Sequence, residues 1–135
     1  MTHHSGKGKC GEEPGRLLLA LCLTALLAGI IGWLTLTPSQ SKTPPFFTLP
    51  DKAHHAIAFA ALILPSAVLA VQSLPWILGA GLAYGGLIEL IQPQVGRSAE
   101  IGDMVANMAG LAAGLAIGWC LRRLFRRRLA TKGLS

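Results

Sequence analysis

Four apolar stretches alternate with short polar segments along the chain, and each stretch has the length of a membrane-crossing helix. Residues 17–36 are twenty positions without a charge, which at about 1.5 Å per residue cover a hydrocarbon core of roughly 30 Å. The second stretch, residues 53–74, contains no Asp, Glu, Lys or Arg, and the third, residues 76–91, is interrupted only by Glu89. The fourth, residues 103–121, carries no charge after its first residue. The pattern predicts an all-α membrane protein with four transmembrane helices.

Prolines mark the connections between these stretches. Four prolines lie within residues 37–50, which predicts a loop because proline lacks the backbone donor that helices need. Pro65 lies inside the second stretch and predicts a kink, whereas Pro75 suits the first turn of the third helix.

Composition supports a membrane protein and excludes several other classes. The chain is 52% hydrophobic and 13% charged, whereas about a quarter of the residues of a soluble domain are charged. Its three cysteines, Cys10, Cys22 and Cys120, are far apart and form no CxxC pair. We therefore expect neither a disulfide framework nor a zinc ribbon.

The distribution of basic residues predicts the orientation. Nine of the twelve Lys and Arg residues lie in the two terminal segments, residues 1–16 and 122–135, and three lie in the connections after the first and third spans. The positive-inside rule then places both termini in the cytoplasm, which requires an even number of spans. The first span is expected to remain as a signal anchor in the cytoplasmic membrane.

The C-terminal arginines suit a helix that continues along the inner membrane surface. Attraction to anionic membrane lipids explains them, so we predict no nucleic-acid partner.

This orientation brings most of the polar residues near the spans to the outer side of the membrane. They open the second span, close the third, lie in the loop that follows it, and open the fourth. The residues of this predicted site are Asp51, Lys52, His55, Glu89, Gln92, Arg97, Asp103 and Asn107.

Helical spacing places these polar groups above packing surfaces. Asp51, His55 and Phe59 follow at intervals of four and share one face of the second span. Glycines at the same kind of spacing lie beneath the polar residues of the third and fourth spans, where they allow close helix approach. These predicted packing glycines are Gly81, Gly85, Gly110 and Gly114.

Glu89 is the residue that most needs a partner. An ionised carboxylate inside the hydrocarbon costs roughly 2.5–3.5 kcal/mol even on insertion scales. We expect it to pair with Arg97, Lys52 or protonated His55, without a choice among them.

Simpler roles compete for some of the other polar residues. Asp51 and Asp103 stand where helix N-caps are expected, Asn107 suits a hydrogen bond between helices, Glu100 suits a solvated loop charge, and both His54 and His55 suit interface histidines.

In order along the chain, the motif residues resemble those of the VanZ-like family of small bacterial membrane proteins. DKAHH at residues 51–55 with Phe59, then ELIQ at 89–92, then GRSAEIGDMVANMAGLAAG at 96–114 follow that family's pattern. The resemblance covers about residues 50–118. The family is named for a protein of teicoplanin resistance, so the resemblance implies a role in the cell envelope and in glycopeptide susceptibility.

Two functional hypotheses follow. In the first, the site binds or processes an envelope component such as a lipid-linked precursor, with His55 or Glu89 as catalytic candidates and with Lys52 and Arg97 holding a phosphate. In the second, the same residues fix the packing of three helices, and function lies in an unknown protein partner. A metal site built from Asp51, His55, Glu89 and Asp103 is a third alternative. One histidine among carboxylates is a poor match to the usual zinc sites, so we predict no metal and no cofactor. Whether the protein is an enzyme stays open.

Overall fold

The computed structural model describes residues 13–37 and 49–132, with side chains described as far as residue 128. The expectations for most of the N-terminal tail, for most of the proline-containing loop and for the last three residues lie outside these ranges. The described residues form helices joined by short connections and contain no strand. The elements are α1 (Pro14–Leu36), α2 (Asp51–Leu69), α3 (Leu74–Ile91), a 3-10 helix (Gln92–Val95) and α4 (Ile101–Lys132).

Four of these helices are long and apolar enough to cross a membrane. Each keeps large apolar side chains at its surface, and Trp33, Trp76 and Trp119 are more than half exposed. A soluble bundle would bury such residues, whereas lipid-facing helices expose them. The prediction of an all-α chain with four span-length helices is confirmed.

Several helix boundaries differ from those predicted. The second span was predicted to reach residue 74, but α2 ends at Leu69, because the backbone leaves helical geometry at Ala70 (φ −137°, ψ 67°) to make the connection to α3. Ala70 and Val71 continue the apolar pattern beyond the end of α2, and the first polar residues of the connection are Gln72 and Ser73. α2 is continuous through Pro65, and Pro75 lies in the first turn of α3 as predicted.

Two other boundaries extend the predicted spans. α1 begins at Pro14, ahead of the predicted residue 17, with the proline in its first turn, where a missing backbone N–H costs no hydrogen bond. α4 continues beyond residue 121 to Lys132, so the basic segment is part of the fourth helix.

The most extensive interface joins α2 to α4, and small residues make it possible. Gly110, Gly114 and Gly118 are buried and lie against α2. A Cβ atom built at Gly110 would collide with the backbone carbonyl of Ala56, and one at Gly114 with that of Ala60. Only glycine permits this approach, which matches the packing role predicted for Gly110 and Gly114.

Apolar side chains from α2, α3 and α4 form the core beside this interface. Phe59 and Ile63 of α2 are fully buried, and Ile88 and Leu111 contact them from α3 and α4. α1 packs on α2 and α3 through partly buried side chains and two hydrogen bonds: the Thr24 and Ser66 hydroxyls are 3.2 Å apart, and the Tyr84 hydroxyl donates to Ala28 O at 2.5 Å. These contacts hold the helix ends in the positions that form the candidate site.

Candidate functional site

The C-terminal ends of α1 and α3 and the N-terminal ends of α2 and α4 lie at one end of the bundle, because consecutive helices run in opposite directions. The eight residues of the predicted site come from these ends and from the loop after the 3-10 helix. We call them the polar cluster: Asp51, Lys52, His55, Glu89, Gln92, Arg97, Asp103 and Asn107.

A turn at Gly96 directs the loop across the end of the bundle. Gly96 has φ +77°, a conformation that favours glycine. The Arg97 N–H donates to Gln92 O at 3.0 Å, which closes the end of the 3-10 helix. Arg97 is thereby placed where its side chain reaches back to α1 and α2.

The centre of the polar cluster is buried between α2 and α4. His55, Asp103 and Asn107 are each 2% exposed. The His55 Nδ1 atom is 3.0 Å from Asn107 Oδ1, and its Nε2 atom is 4.0 Å from Asp103 Oδ2. Because an amide oxygen only accepts hydrogen bonds, Nδ1 must carry a proton in this arrangement. The other imidazole nitrogen therefore points at the Asp103 carboxylate across a gap that is too long for a hydrogen bond.

Ion pairs form the outer rim of the cluster. Arg97 Nη2 is 3.3 Å from Asp51 Oδ1, and Arg97 Nη1 donates to Thr35 O at 3.2 Å, so one side chain joins α1 to α2. Lys52 Nζ is 3.3 Å from Glu100 Oε2, with both side chains more than half exposed. Such exposed pairs contribute little stability, roughly 0–1 kcal/mol each, and can open to accept another partner.

Two of the three expected partners of Glu89, Arg97 and Lys52, are wrong. Its Oε2 atom accepts a hydrogen bond from the backbone N–H of Glu100 at 3.3 Å, whereas Arg97 pairs with Asp51 and Lys52 pairs with Glu100. The physical reason is the path of the loop after Gly96, which turns Arg97 toward α1 and α2 and brings a backbone donor to Glu89.

Three of the simpler roles are wrong as well. Pro50 is the N-cap residue of α2, so Asp51 follows the cap. Asp103 is the third residue of α4, its backbone N–H donates to Glu100 O at 2.9 Å, and its carboxylate is turned into the bundle. Glu100 is exposed, but it is paired with Lys52 rather than simply solvated.

Five buried side-chain atoms of the described residues lack a hydrogen-bond partner, and all five belong to the polar cluster. Most buried polar atoms in folded proteins are paired, and an unpaired one is commonly explained by a ligand, an ion or a water molecule. Such atoms are therefore concentrated in one part of the described structure. They are His55 Nε2, Glu89 Oε1, Gln92 Oε1, Asp103 Oδ1 and Asn107 Nδ2.

The predicted packing glycines of α3 lie directly beneath this centre. A Cβ atom at Gly85 would stand 3.1 Å from Asn107 Nδ2 and 3.2 Å from Phe59. One at Gly81, a turn deeper, would stand 3.3 Å from Leu111 Cδ2. The Asn107 amide is therefore held by its fit against α3 as well as by His55.

An apolar groove of about 610 Å³ lies beside the cluster, between α3 and α4. Its wall includes Ala83, Leu87 and Met104, and Glu89 and Glu100 stand at its polar end. A molecule with an apolar chain and a polar head fits this combination of surfaces.

Two residues at the site were missed or misjudged from the sequence. The backbone carbonyl of Thr35 accepts a hydrogen bond from Arg97. Every residue type has a backbone carbonyl, so the sequence could not show which one acts as the acceptor. Glu100 supplies both the partner of Lys52 and the backbone donor to Glu89, although its place in the motif segment was a usable signal.

No protein-family model, curated protein or solved structure matches the chain. The resemblance to the VanZ-like family therefore stays a prediction that depends on the motif residues.

Proposed function

We propose that the chain is a multi-pass protein of the bacterial cytoplasmic membrane, with both termini in the cytoplasm and the polar cluster at the outer surface. Four span-length apolar helices and the excess of Lys and Arg in the terminal segments support this orientation.

Cysteine labelling tests the orientation. In a background with the three native cysteines replaced by alanine, Ser98→Cys lies in the exposed loop beside the cluster, and Arg128→Cys lies at an exposed position near the other end of α4. A membrane-impermeant maleimide should label the first in intact cells and the second only after permeabilisation. The reverse pattern would overturn the orientation.

We propose further that the polar cluster binds or processes the head group of an envelope component, such as a lipid-linked wall precursor. The observation that carries this proposal is the convergence of five buried polar atoms without partners. The neighbouring apolar groove supports a lipid-linked ligand, because an apolar chain can lie against α3 and α4 while the head group reaches the cluster.

Two groups are placed for chemistry in an enzymatic version of this function. The Asn107 oxygen fixes the His55 tautomer, which leaves Nε2 free to accept a proton as a general base. Glu89 offers a carboxylate at the end of the groove. Lys52 and Arg97 can hold a phosphate only by exchanging their present carboxylate partners, and the exposure of Lys52 permits such an exchange.

Binding of labelled lipid-linked precursors to the purified protein tests this function. Glu89→Gln, Asp103→Asn and Arg97→Ala should each weaken binding, whereas Glu13→Gln, at the opposite end of α1, should leave it unchanged. Absence of binding to the wild-type protein would overturn the proposal. If expression of the wild-type protein changes teicoplanin susceptibility, as the family resemblance implies, the same three variants should lose that effect at normal membrane abundance.

A structural role is the second candidate, and the side-chain contacts between helices favour it. The His55–Asn107 bond joins α2 to α4, and Arg97 joins α1 to α2. In this case function lies in a protein partner, and Glu89→Gln or Asp103→Asn should lower the amount of folded protein in the membrane. Normal abundance combined with a lost phenotype would exclude it.

A further inference from the structure

Three atoms of the kind that bind metal ions converge at the start of α2 and α4. Asp51, His55 and Asp103 each offer one ligand atom, and these atoms all lie within 4.8 Å of one another. His55 and Asp103 are 98% buried, whereas the Asp51 side chain is 58% exposed and opens the group to the outside. The arrangement has two fixed ligands and one at the surface.

The unpartnered atoms in this group are acceptors. Because Asn107 Oδ1 holds the proton of His55 on Nδ1, a neutral imidazole presents a lone pair at Nε2. That lone pair faces Asp103 Oδ2 at 4.0 Å, and the other carboxylate oxygen of Asp103 has no partner. A protonated imidazole paired with Asp103 would be expected at about 2.7–2.9 Å. Two acceptors facing each other at this longer distance fit a shared positive ion.

The His55–Asn107 bond also matches the surroundings of metal-binding histidines. A histidine that binds a metal through one nitrogen generally donates a hydrogen bond from the other nitrogen to an oxygen acceptor. Asn107 supplies that acceptor at 3.0 Å. It is thus a positioning residue, which fixes the ring orientation and the tautomer.

The charge balance of the cluster favours a cation over an anion. Asp51, Glu89, Glu100 and Asp103 are four carboxylates, and Lys52 and Arg97 are two cations, so full ionisation gives 2 − 4 = −2. Both cations already pair with carboxylates of the group. A single divalent ion would neutralise the excess.

We propose that Asp51, His55 and Asp103 bind a divalent cation, Zn²⁺ or Mn²⁺, through one nitrogen and two oxygen ligands. Imidazole suits Zn²⁺, and carboxylates suit Mn²⁺ as well. Tetrahedral ligands with bonds of about 2.1 Å are about 3.4 Å apart, so the side chains close by an ångström or so around the ion. This site departs from the sequence-based expectation of no metal, because three of the four residues considered there, Asp51, His55 and Asp103, place their ligand atoms within 4.8 Å of one another.

The role of the ion in ligand binding rests on the proposed function, whereas the ion site does not. An ion exposed beside Asp51 can bind a phosphate oxygen directly, whereas Lys52 and Arg97 already pair with carboxylates. It would thus give an acidic cluster affinity for an anionic head group. With the ion bound, His55 Nε2 is a ligand and cannot also be the general base, so Glu89 is the remaining candidate for that role in an enzymatic version of the function.

Titration of the purified full-length protein with Zn²⁺ alone and with Mn²⁺ alone tests the site. The protein carries His3→Ala and His4→Ala and a tag without histidines, and it is treated with chelator and dialysed beforehand. We expect one equivalent of at least one of the two ions to bind by calorimetry. Asp103→Asn, His55→Gln and Asp51→Asn should weaken that binding on the order of 100-fold or more, whereas His54→Gln and Glu13→Gln should not.

Several outcomes would overturn the ion site. One is that neither Zn²⁺ nor Mn²⁺ binds to the parent protein. Another is that all three ligand variants bind the ion as tightly as the parent protein does. A third is that Mg²⁺ binds more tightly than Zn²⁺ and Mn²⁺, because a site that prefers Mg²⁺ does not need the imidazole of His55. Asp51→Asn alters an exposed side chain, so it decides the matter if the two buried variants do not elute as folded protein in size-exclusion chromatography.

A second titration separates the ion site from the proposed function. Labelled lipid-linked precursor is added to the protein with and without the ion. Tighter precursor binding with the ion supports both proposals. Ion binding without any precursor binding leaves the ion site standing and overturns the proposed function.

Discussion

Replacing Gly110 by alanine probes the contact on which the α2–α4 interface depends. The new Cβ would stand 2.9 Å from the carbonyl carbon of Ala56 and closer still to its oxygen. Carbon atoms normally pack at about 3.5–4.0 Å, so the two backbones must separate by roughly 0.6 Å or more. Overpacking costs about 1–3 kcal/mol, and a clash with backbone belongs at the upper end. The higher helix propensity of alanine offsets about 1 kcal/mol of this cost. The free energy of unfolding should therefore fall by about 2 kcal/mol.

The matched control is Gly79→Ala in α3, where the added Cβ would meet nothing within 4 Å. This variant keeps the propensity gain without the clash, so it should be neutral or more stable by up to about 1 kcal/mol. The assay is unfolding by SDS in mixed micelles, with the free energy of unfolding compared among wild type and both variants. Equal stability of the two variants would refute the packing argument.

Three further changes test other parts of the fold. Gly96→Ala should cost about 1–2 kcal/mol, because alanine disfavours the φ of +77°, and lower membrane abundance would reveal it. A double-mutant cycle on Thr24→Val and Ser66→Ala should give a coupling of about 0.6 kcal/mol, typical of hydrogen bonds between membrane helices, and a zero coupling would contradict that bond. Tyr84→Phe removes the donor to Ala28 O and should cost about 0.5–1.5 kcal/mol in the same unfolding assay, and no change would mean that this bond adds no stability.

The number and class of the helices could be predicted because membrane thickness sets their length. Any chain that crosses hydrocarbon must satisfy its backbone within each span, so apolar runs of about 20 residues indicate helices directly. The end of α2 at Leu69 could not be predicted in this way. Ala70 and Val71 are also apolar, and the first polar residues, Gln72 and Ser73, come only after the helix has ended.

The site was predictable as a set of residues but not as a set of contacts. Helical periodicity brings Asp51 and His55 to one face and places glycines beneath the polar groups of α3 and α4. The partners of Glu89 and Arg97 depend instead on the loop that begins at Gly96, whose path follows from one backbone turn. Spacing along the chain carries no information about the distance between His55 and Asp103, which lie on different helices.

The extensive contact between α2 and α4 also bears on the order of assembly. The chain is made from its N-terminus, so α2 is complete before the helix that covers its buried face exists. Residues 70–132 must still be synthesised, which takes about 3 to 13 s at 5–20 residues per second. For the first part of that interval, until residue 107 has been made, the imidazole of His55 has no Asn107 to bind, and the uncovered face of α2 is open to lipid. Completion of the last helix is therefore the step that commits the bundle to its final form.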